Sequence, residues 1–245
     1  MEWSDSAIVL SVRAHGETAA ILEALTRKHG RHLGLIHGGA SRKSKAVLQA
    51  GNSLQLSWRG RLNEQLGTYH AEPLRGRAGA IFDRRDSLVG LNAFVAIASG
   101  GLPEREPHAS VHEAAELVLD AMAEQDFAHW APLYVRWEAG VLDELGFGLD
   151  LSHCAVTGAT DDLIYVSPRS GRAVSREGGA GYEERLLKLP PFLLGSQNAT
   201  PSAADIVAGL QLTAHFFQDR VLQPHGKELP QARHRLQELA SRESE

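Results

Sequence analysis

The first eighty residues alternate short apolar runs with turn residues, a pattern that predicts a series of β-strands. Residues 53–59 alternate polar and apolar side chains cleanly, which places Leu54, Leu56 and Trp58 on one face of a half-buried strand. We therefore expect Trp58 in the core. Similar runs predict strands at 6–13, 31–37 and 64–71, while residues 17–26 suit a helix or a strand. With a short basic loop or helical turn at 41–50, five such strands fit a small Greek-key barrel of the OB type.

After residue 79 the apolar spacing becomes helical. It predicts helices at 83–99, from Ser110 onward, at 129–147, at 201–222 and after the turn at 223–236. Ser110 with Glu113, three residues on, resembles a capping box, and Ser202 is the expected N-cap of the 201–222 helix. Residues 151–197 are irregular, with one short strand at 163–166. The predicted fold class is α+β, with an OB-fold nucleic-acid-binding domain at 1–80 and a helical domain at 81–245 that includes the irregular insert 151–197.

Charge is distributed unevenly along the chain. The formal net charge is -5, yet residues 26–63 contain no Asp or Glu. Such a segment suggests a surface for a polyanion, although a solvated basic face of an ordinary domain is the simpler alternative. Residues 104–150 are acidic, with Arg105 and Arg136 as their only Lys or Arg residues, and we do not expect them to lie on nucleic acid. The basic candidates for DNA contacts are Arg27, Lys28, Arg31, Arg42, Lys43, Lys45, Arg59 and Arg61.

Several classes of protein are disfavoured by the sequence. The N-terminus lacks the features of a signal peptide, and no apolar run approaches the ~20 residues of a membrane helix. Cys154 is the only cysteine, so no intrachain disulfide is possible. The loop at 38–45 lacks the Gly-Lys-Ser/Thr ending of a P-loop, and no catalytic motif accompanies the scattered histidines. We expect a cytoplasmic protein that is not an enzyme and has no cofactor and no membrane partner.

Four stretches resemble the RecO family of DNA repair and recombination mediators. They read AIVLSVRAHGETAAILEALTRKHGRHLGLIHGGASRKSK, LDELGFGLDLSHCAVTG, YVSPRSGRAVS and LQPHGKELPQARHRL. The resemblance covers nearly the whole chain and implies an N-terminal OB barrel, a helical C-terminal domain and a zinc-finger-like insert. It also implies binding of single- and double-stranded DNA, strand annealing, and cooperation with RecR to load RecA onto DNA coated by the single-strand-binding protein, at the nucleoid.

The insert departs from the family pattern of two CxxC pairs. The first pair position reads Cys154-Ala-Val-Thr157 and the second reads Ser175-Arg-Glu-Gly178, so three of the four thiols are missing. His153 does not replace them, because adjacent residues rarely chelate one ion. We therefore expect no bound metal, and an insert held by its apolar side chains.

Two further expectations concern binding partners. The barrel has few aromatic residues, Trp3, Trp58 and Tyr69, which favours sequence-tolerant contacts to the DNA backbone over base readout. A second basic patch follows residue 222, and it is a candidate site for the acidic tail of the single-strand-binding protein or for more DNA. Its residues are Phe216, Lys227, Arg233 and Arg235. The alternative from another class is a protein-interaction scaffold that carries a weak OB-type DNA- or RNA-binding module.

Overall fold

The computed structural model describes residues 1–62, 65–195 and 200–243. The chain forms two compact units, Met1–Glu124 and Gln125–Glu245. The strands of the first unit end near the predicted boundary at residue 80, and the next three helices belong to the same unit. Across the described ranges, no helix combines the length and the apolar character that a membrane span requires.

Five strands form the sheet of the first unit. They are β1 (Glu2–His15), β2 (Ala19–Thr26), β3 (Gly30–Ile36), β4 (Ser53–Arg59) and β5 (Thr68–Arg75). Their order is β1-β2-β3-β5-β4, and the sheet closes into a ring. All pairings are antiparallel except the single parallel pair of Leu35 with Thr68, which closes the ring between β3 and β5. The ambiguous residues 17–26 therefore contain a strand, and β5 lies further along the chain than predicted. The predicted start of β5, residue 64, lies outside the described residues.

The alternation of apolar and polar residues in β4 determines which of its side chains point into the core of the ring. Leu54, Leu56 and Trp58 are fully buried, which confirms the prediction that Trp58 belongs to the core. The Trp58 indole Nε1–H donates a hydrogen bond to the carbonyl of Leu66 at 3.0 Å, so its one polar atom is satisfied. Burial of each such side chain contributes about 1.5–3 kcal/mol to stability.

Four helices complete the first unit: α1 (Arg42–Val47), α2 (Ala78–Phe82), α3 (Arg85–Gly101) and α4 (Ala109–Glu124). The predicted N-cap at Ser110 is wrong, because α4 begins at Ala109 and the amide of His112 already donates to the carbonyl of His108. The side chain of Arg77, which is 2% exposed, joins the end of β5 to α4 through ion pairs with Glu116 and Asp120. Part of the acidic stretch thus stabilises the fold of this unit.

Among its described residues, the second unit has three α-helices and a small sheet. The helices are α5 (Phe127–Glu144), α6 (Ala203–Phe216), which continues as a π-helical segment to Leu222, and α7 (Gln231–Glu243). Ser202 caps α6 as predicted, in a capping box with Asp205. The predicted insert contains three strands instead of one: β6 (Leu163–Val166), β7 (Ala173–Ser175) and β8 (Leu187–Lys188), in the order β7-β6-β8. Its last two residues, 196 and 197, lie outside the described ranges.

Candidate nucleic-acid interface

The turn between β3 and β4 presents three cations on a short capped helix. The Ser41 hydroxyl accepts a hydrogen bond from the backbone N–H of Ser44 at 3.2 Å, and the Ser44 hydroxyl donates to the carbonyl of Gly38 at 2.9 Å. These bonds fix α1, which buries none of its own residues. Arg42, Lys43 and Lys45 are exposed on it, so their charges face solvent.

Three more candidate cations lie outside α1, at and just after the end of β4 and in the β2–β3 turn. Arg59 ends β4, directly across from Glu2 on β1, and Arg61 follows two residues later. Lys28 lies in the turn between β2 and β3, where its backbone N–H donates to the Asp5 carboxylate at 2.6 Å. The side chains of Lys28, Arg59 and Arg61 are exposed.

The length of β3 separates Lys28 from the cations of α1. Lys28 precedes the first residue of this seven-residue strand, and α1 follows its last residue. At about 3.3 Å per residue, the strand spans about 20 Å. In the described part of the chain, none of these six side chains takes part in an ion pair, in contrast to the two candidates that remain.

Arg27 and Arg31 have acidic partners within the unit. Arg27 pairs with Glu113 of α4 at 2.6 Å, and its side chain remains 45% exposed. Arg31 pairs with Glu23 of the neighbouring strand at 2.8 Å and donates to the carbonyl of Leu102 at 2.9 Å. Because the Arg31 side chain is only 14% exposed and already bound, we leave it out of the proposed DNA contacts, and we treat Arg27 as a secondary candidate.

The prediction that Arg233 belongs to the second basic patch, the candidate site for a partner, is wrong. Its guanidinium is fully buried and forms hydrogen bonds to both oxygens of the Glu138 carboxylate, at 2.6 and 2.9 Å. It also donates to the carbonyl of Leu210 at 2.8 Å. Arg233 therefore stabilises the helices of the second unit and cannot meet a partner at its surface.

Phe216 is likewise wrong as a partner residue, because it is 2% exposed. Lys227 and Arg235 are exposed, and they stay candidates for binding an acidic peptide.

The insert brings together the four positions at which the resemblance implies zinc ligands. The Cys154 sulfur accepts hydrogen bonds from the backbone N–H and the hydroxyl of Ser175, at 3.2 and 3.3 Å. The Thr157 hydroxyl lies 3.3 Å from the Ser175 hydroxyl, which also accepts from the N–H of Gly178 at 3.1 Å. Burial favours the neutral thiol, but the hydrogen bonds from Ser175 and Thr157 lower the pKa of Cys154 to about 6.

This donor set does not fit zinc. Structural zinc sites use four thiolate or imidazole ligands, whereas these positions supply one thiol, two hydroxyls and a glycine. A Cβ on Gly178 would lie 2.8 Å from the Cys154 sulfur, so the space is already filled. The two loops are joined by hydrogen bonds at the positions where the family pattern has ligands.

We expect the purified protein to contain much less than one zinc per chain and to keep its melting temperature in the presence of a chelator, since the four positions of the insert supply only one thiol and no imidazole. Elemental analysis and thermal unfolding with and without EDTA measure both. A four-cysteine zinc protein of known metal content is the positive control for zinc detection. One zinc per wild-type chain would contradict this reading.

Aromatic side chains cluster at one end of the closed five-stranded sheet, near the β2–β3 turn. The Trp3 ring lies parallel to the His29 ring, with centroids 4.0 Å apart and an interplanar angle of 7°. The buried His32 meets Trp3 edge-on, and its Nδ1 forms a hydrogen bond with the Tyr69 hydroxyl at 2.7 Å. Burial, with a contribution from the Arg105 charge, lowers the pKa of His32 to about 4.

This lowered pKa predicts a loss of stability in acid. Between pH 6.5 and 4 the unfolded chain binds a proton at His32 that the folded chain excludes, so stability falls as the pH falls through this window. From neutral pH to pH 5 we expect His32 to contribute a loss of about 2 kcal/mol. Urea unfolding of the wild type and of His32→Gln, at both pH values, isolates this contribution. An equal loss in both proteins would exclude His32 as its source.

Two family models match this chain. One, described as Recombination protein O N terminal, matches residues 1–77, and another, Recombination protein O C terminal, matches residues 84–229.

Curated relatives extend the similarity over nearly the whole chain. A protein named DNA repair protein RecO from Phenylobacterium zucineum is 50% identical over 233 residues, 95% of each chain. A protein of the same name from Cereibacter sphaeroides is 49% identical over 244 residues, 99% of each chain. Another, from Rhodospirillum rubrum, is 47% identical over 245 residues, 99% of this chain and 97% of the relative.

Proposed function

Since the chain belongs to the recombination protein O family, whose members point to a function in DNA repair and recombination, we propose that its first unit binds single- and double-stranded DNA. The observation that carries this proposal is a set of six exposed cations that take part in no ion pair among the described residues. They are Lys28, Arg59 and Arg61 and, on α1, Arg42, Lys43 and Lys45.

We interpret the ring as an OB-type barrel. The strand order β1-β2-β3-β5-β4, with a helix between β3 and β4, supports this interpretation. OB folds that bind single strands combine a cationic path along the backbone with sites of about 4–16 nucleotides. A path along the roughly 20 Å of β3 lies at the short end of that range.

Strand annealing follows from the same charges. Two complementary strands repel each other through their phosphates, and cations that neutralise those phosphates reduce the repulsion. Backbone contacts carry no sequence information, which suits a protein that handles any sequence. The role is one of binding, without catalysis.

The partners come from the family. We propose that the protein acts with RecR to load RecA onto DNA coated by the single-strand-binding protein. The acidic tail of that protein is the proposed ligand of Lys227 and Arg235, because exposed cations attract carboxylates.

An annealing assay with complementary oligonucleotides tests the proposed function. The wild type should accelerate annealing, and it should retain labelled single-stranded DNA in filter binding more strongly than duplex RNA. A protein that fails in both assays, yet binds the tail peptide of the single-strand-binding protein, would be an interaction scaffold.

A further inference from the structure

A cavity of about 440 Å³ opens at the end of the ring where β2 turns into β3. It is lined by Met1, Glu2, Trp3, Lys28, His29, His32 and Arg105. Its walls thus combine three aromatic rings with two cationic side chains and one carboxylate. The sequence did not predict this cavity, because neither its basic segment nor its small number of aromatic residues indicates that these side chains lie together.

Trp3 and His29 supply a flat aromatic wall. The two rings are parallel at 4.0 Å, and Trp3 also lies nearly parallel to the buried Trp58, with centroids 5.8 Å apart. The Asp5 carboxylate, 3.1 Å from Nδ1 of His29, fixes the outer ring. The His29 side chain is 33% exposed, so part of this fixed wall faces solvent.

Cations flank the rings. Lys28 precedes His29 in the turn, and its side chain is exposed. Arg105 has a φ of 62°, in the left-handed region that non-glycine residues rarely adopt. Its backbone N–H donates to the carbonyl of Arg31 at 2.8 Å, and its Nη2 donates to the carbonyl of Gln65 at 3.1 Å. These contacts hold a guanidinium beside the aromatic wall, so Arg105 is an exception to the expectation that residues 104–150 lie away from nucleic acid.

We propose that this cavity receives one unpaired nucleobase of a DNA strand, stacked against the Trp3–His29 pair, with Lys28 and Arg105 contacting the adjacent phosphates. The proposal rests on the proposed DNA binding and adds a base contact to it. Every base has a π-face, so stacking tolerates any sequence. In a duplex the base faces are covered by neighbouring base pairs, so the cavity selects single strands.

The chain provides its own reporter for this contact. Trp58, Trp130 and Trp137, three of the four tryptophans, are at most 2% exposed, whereas Trp3 is half-buried. A base that stacks on the outer face of His29 joins the stack of rings that contains Trp3 and should therefore quench tryptophan fluorescence. Trp3→Phe should abolish this quenching and keep most of the affinity, because a ring remains. Quenching that persists in Trp3→Phe would place the base elsewhere and overturn the proposal.

The decisive comparison uses an oligothymidylate of about twelve residues and an abasic strand with the same number of phosphates. Base–aromatic stacking predicts that the wild type binds the thymidylate about 5- to 100-fold more tightly. The double variant Trp3→Leu, His29→Ala should bind both strands with the affinity of the abasic one. Lys43→Glu, the matched control, should weaken both strands equally and leave their ratio unchanged.

The outcomes separate this proposal from DNA binding itself. Equal affinity of the wild type for the two strands overturns the stacking proposal and leaves DNA binding intact. Binding of neither strand refutes the proposed function. Circular dichroism checks the fold of the double variant, and if that variant is unfolded, the single variants His29→Ala and Trp3→Phe carry the test through the affinity ratio and the fluorescence.

Discussion

Arg233→Met is expected to destabilise the second unit by about 3–5 kcal/mol, because it leaves the Glu138 carboxylate buried without its counter-charge. Both side chains are fully buried, and the Tyr134 hydroxyl, at 2.7 Å, also donates to Glu138. The Thr213 hydroxyl completes the shell around this carboxylate. Urea or guanidinium unfolding measures the loss.

Arg235→Met is the matched control for this substitution. Arg235 is exposed on the same helix, so its replacement should change stability by less than about 0.5 kcal/mol. The double variant Glu138→Leu, Arg233→Met removes both charges and should recover much of the loss. Equal effects of Arg233→Met and Arg235→Met would contradict a stabilising role for the buried pair.

The charge reversal Arg42→Glu with Lys43→Glu should weaken binding of single-stranded DNA by about 10- to 100-fold at low salt, because it replaces two phosphate contacts with two repulsions. Both side chains are exposed on α1, which buries no residue of its own, so the fold should not change. Fluorescence anisotropy with a labelled oligonucleotide measures the affinity.

Lys227→Glu with Arg235→Glu changes the net charge of the chain by the same amount. This pair should leave the affinity for bare DNA within a few-fold of the wild type and should weaken binding of the acidic tail peptide. Equal losses of DNA affinity in the two pairs would favour one continuous DNA surface over a division of labour.

The strand pattern of the first unit was largely predictable from the sequence. Residues 53–59 form β4 with the predicted bounds, because one face is buried and the other is not. Residues 17–26 were ambiguous because their six apolar side chains, at 19–22, 24 and 25, would suit a helix or a strand. Pairing of β2 with both β1 and β3 decides its conformation, and that information is not local.

It was harder to predict from the sequence which charged residues are exposed, because that also depends on contacts between residues far apart in the chain. Arg42, Lys43 and Lys45 lie in a segment without nearby acids and are exposed. Arg233 looked similar in sequence, yet its partner Glu138 is 95 residues away. The residues next to Arg233 in the sequence do not reveal this partner, so the sequence alone could not show that Arg233 is buried.

The aromatic wall was missed because its two rings come from distant positions. Trp3 lies near the start of β1 and His29 lies in the β2–β3 turn, and the antiparallel pairing of β1 with β2, in which Ala7 lies opposite Thr26, brings their rings to 4.0 Å. The Cys154 cluster differs, because the resemblance to the family already pointed to its four positions. The structure adds the hydrogen bonds that join them.

The salt dependence of single-stranded DNA binding tests the central claim most directly. If four to six of the exposed cations contact phosphates, a plot of log affinity against log salt should be linear, with a slope of about -3 to -4 from counterion release. The Arg42→Glu, Lys43→Glu pair should make that slope shallower by about 1.4. A slope near zero for the wild type would contradict binding through these cations.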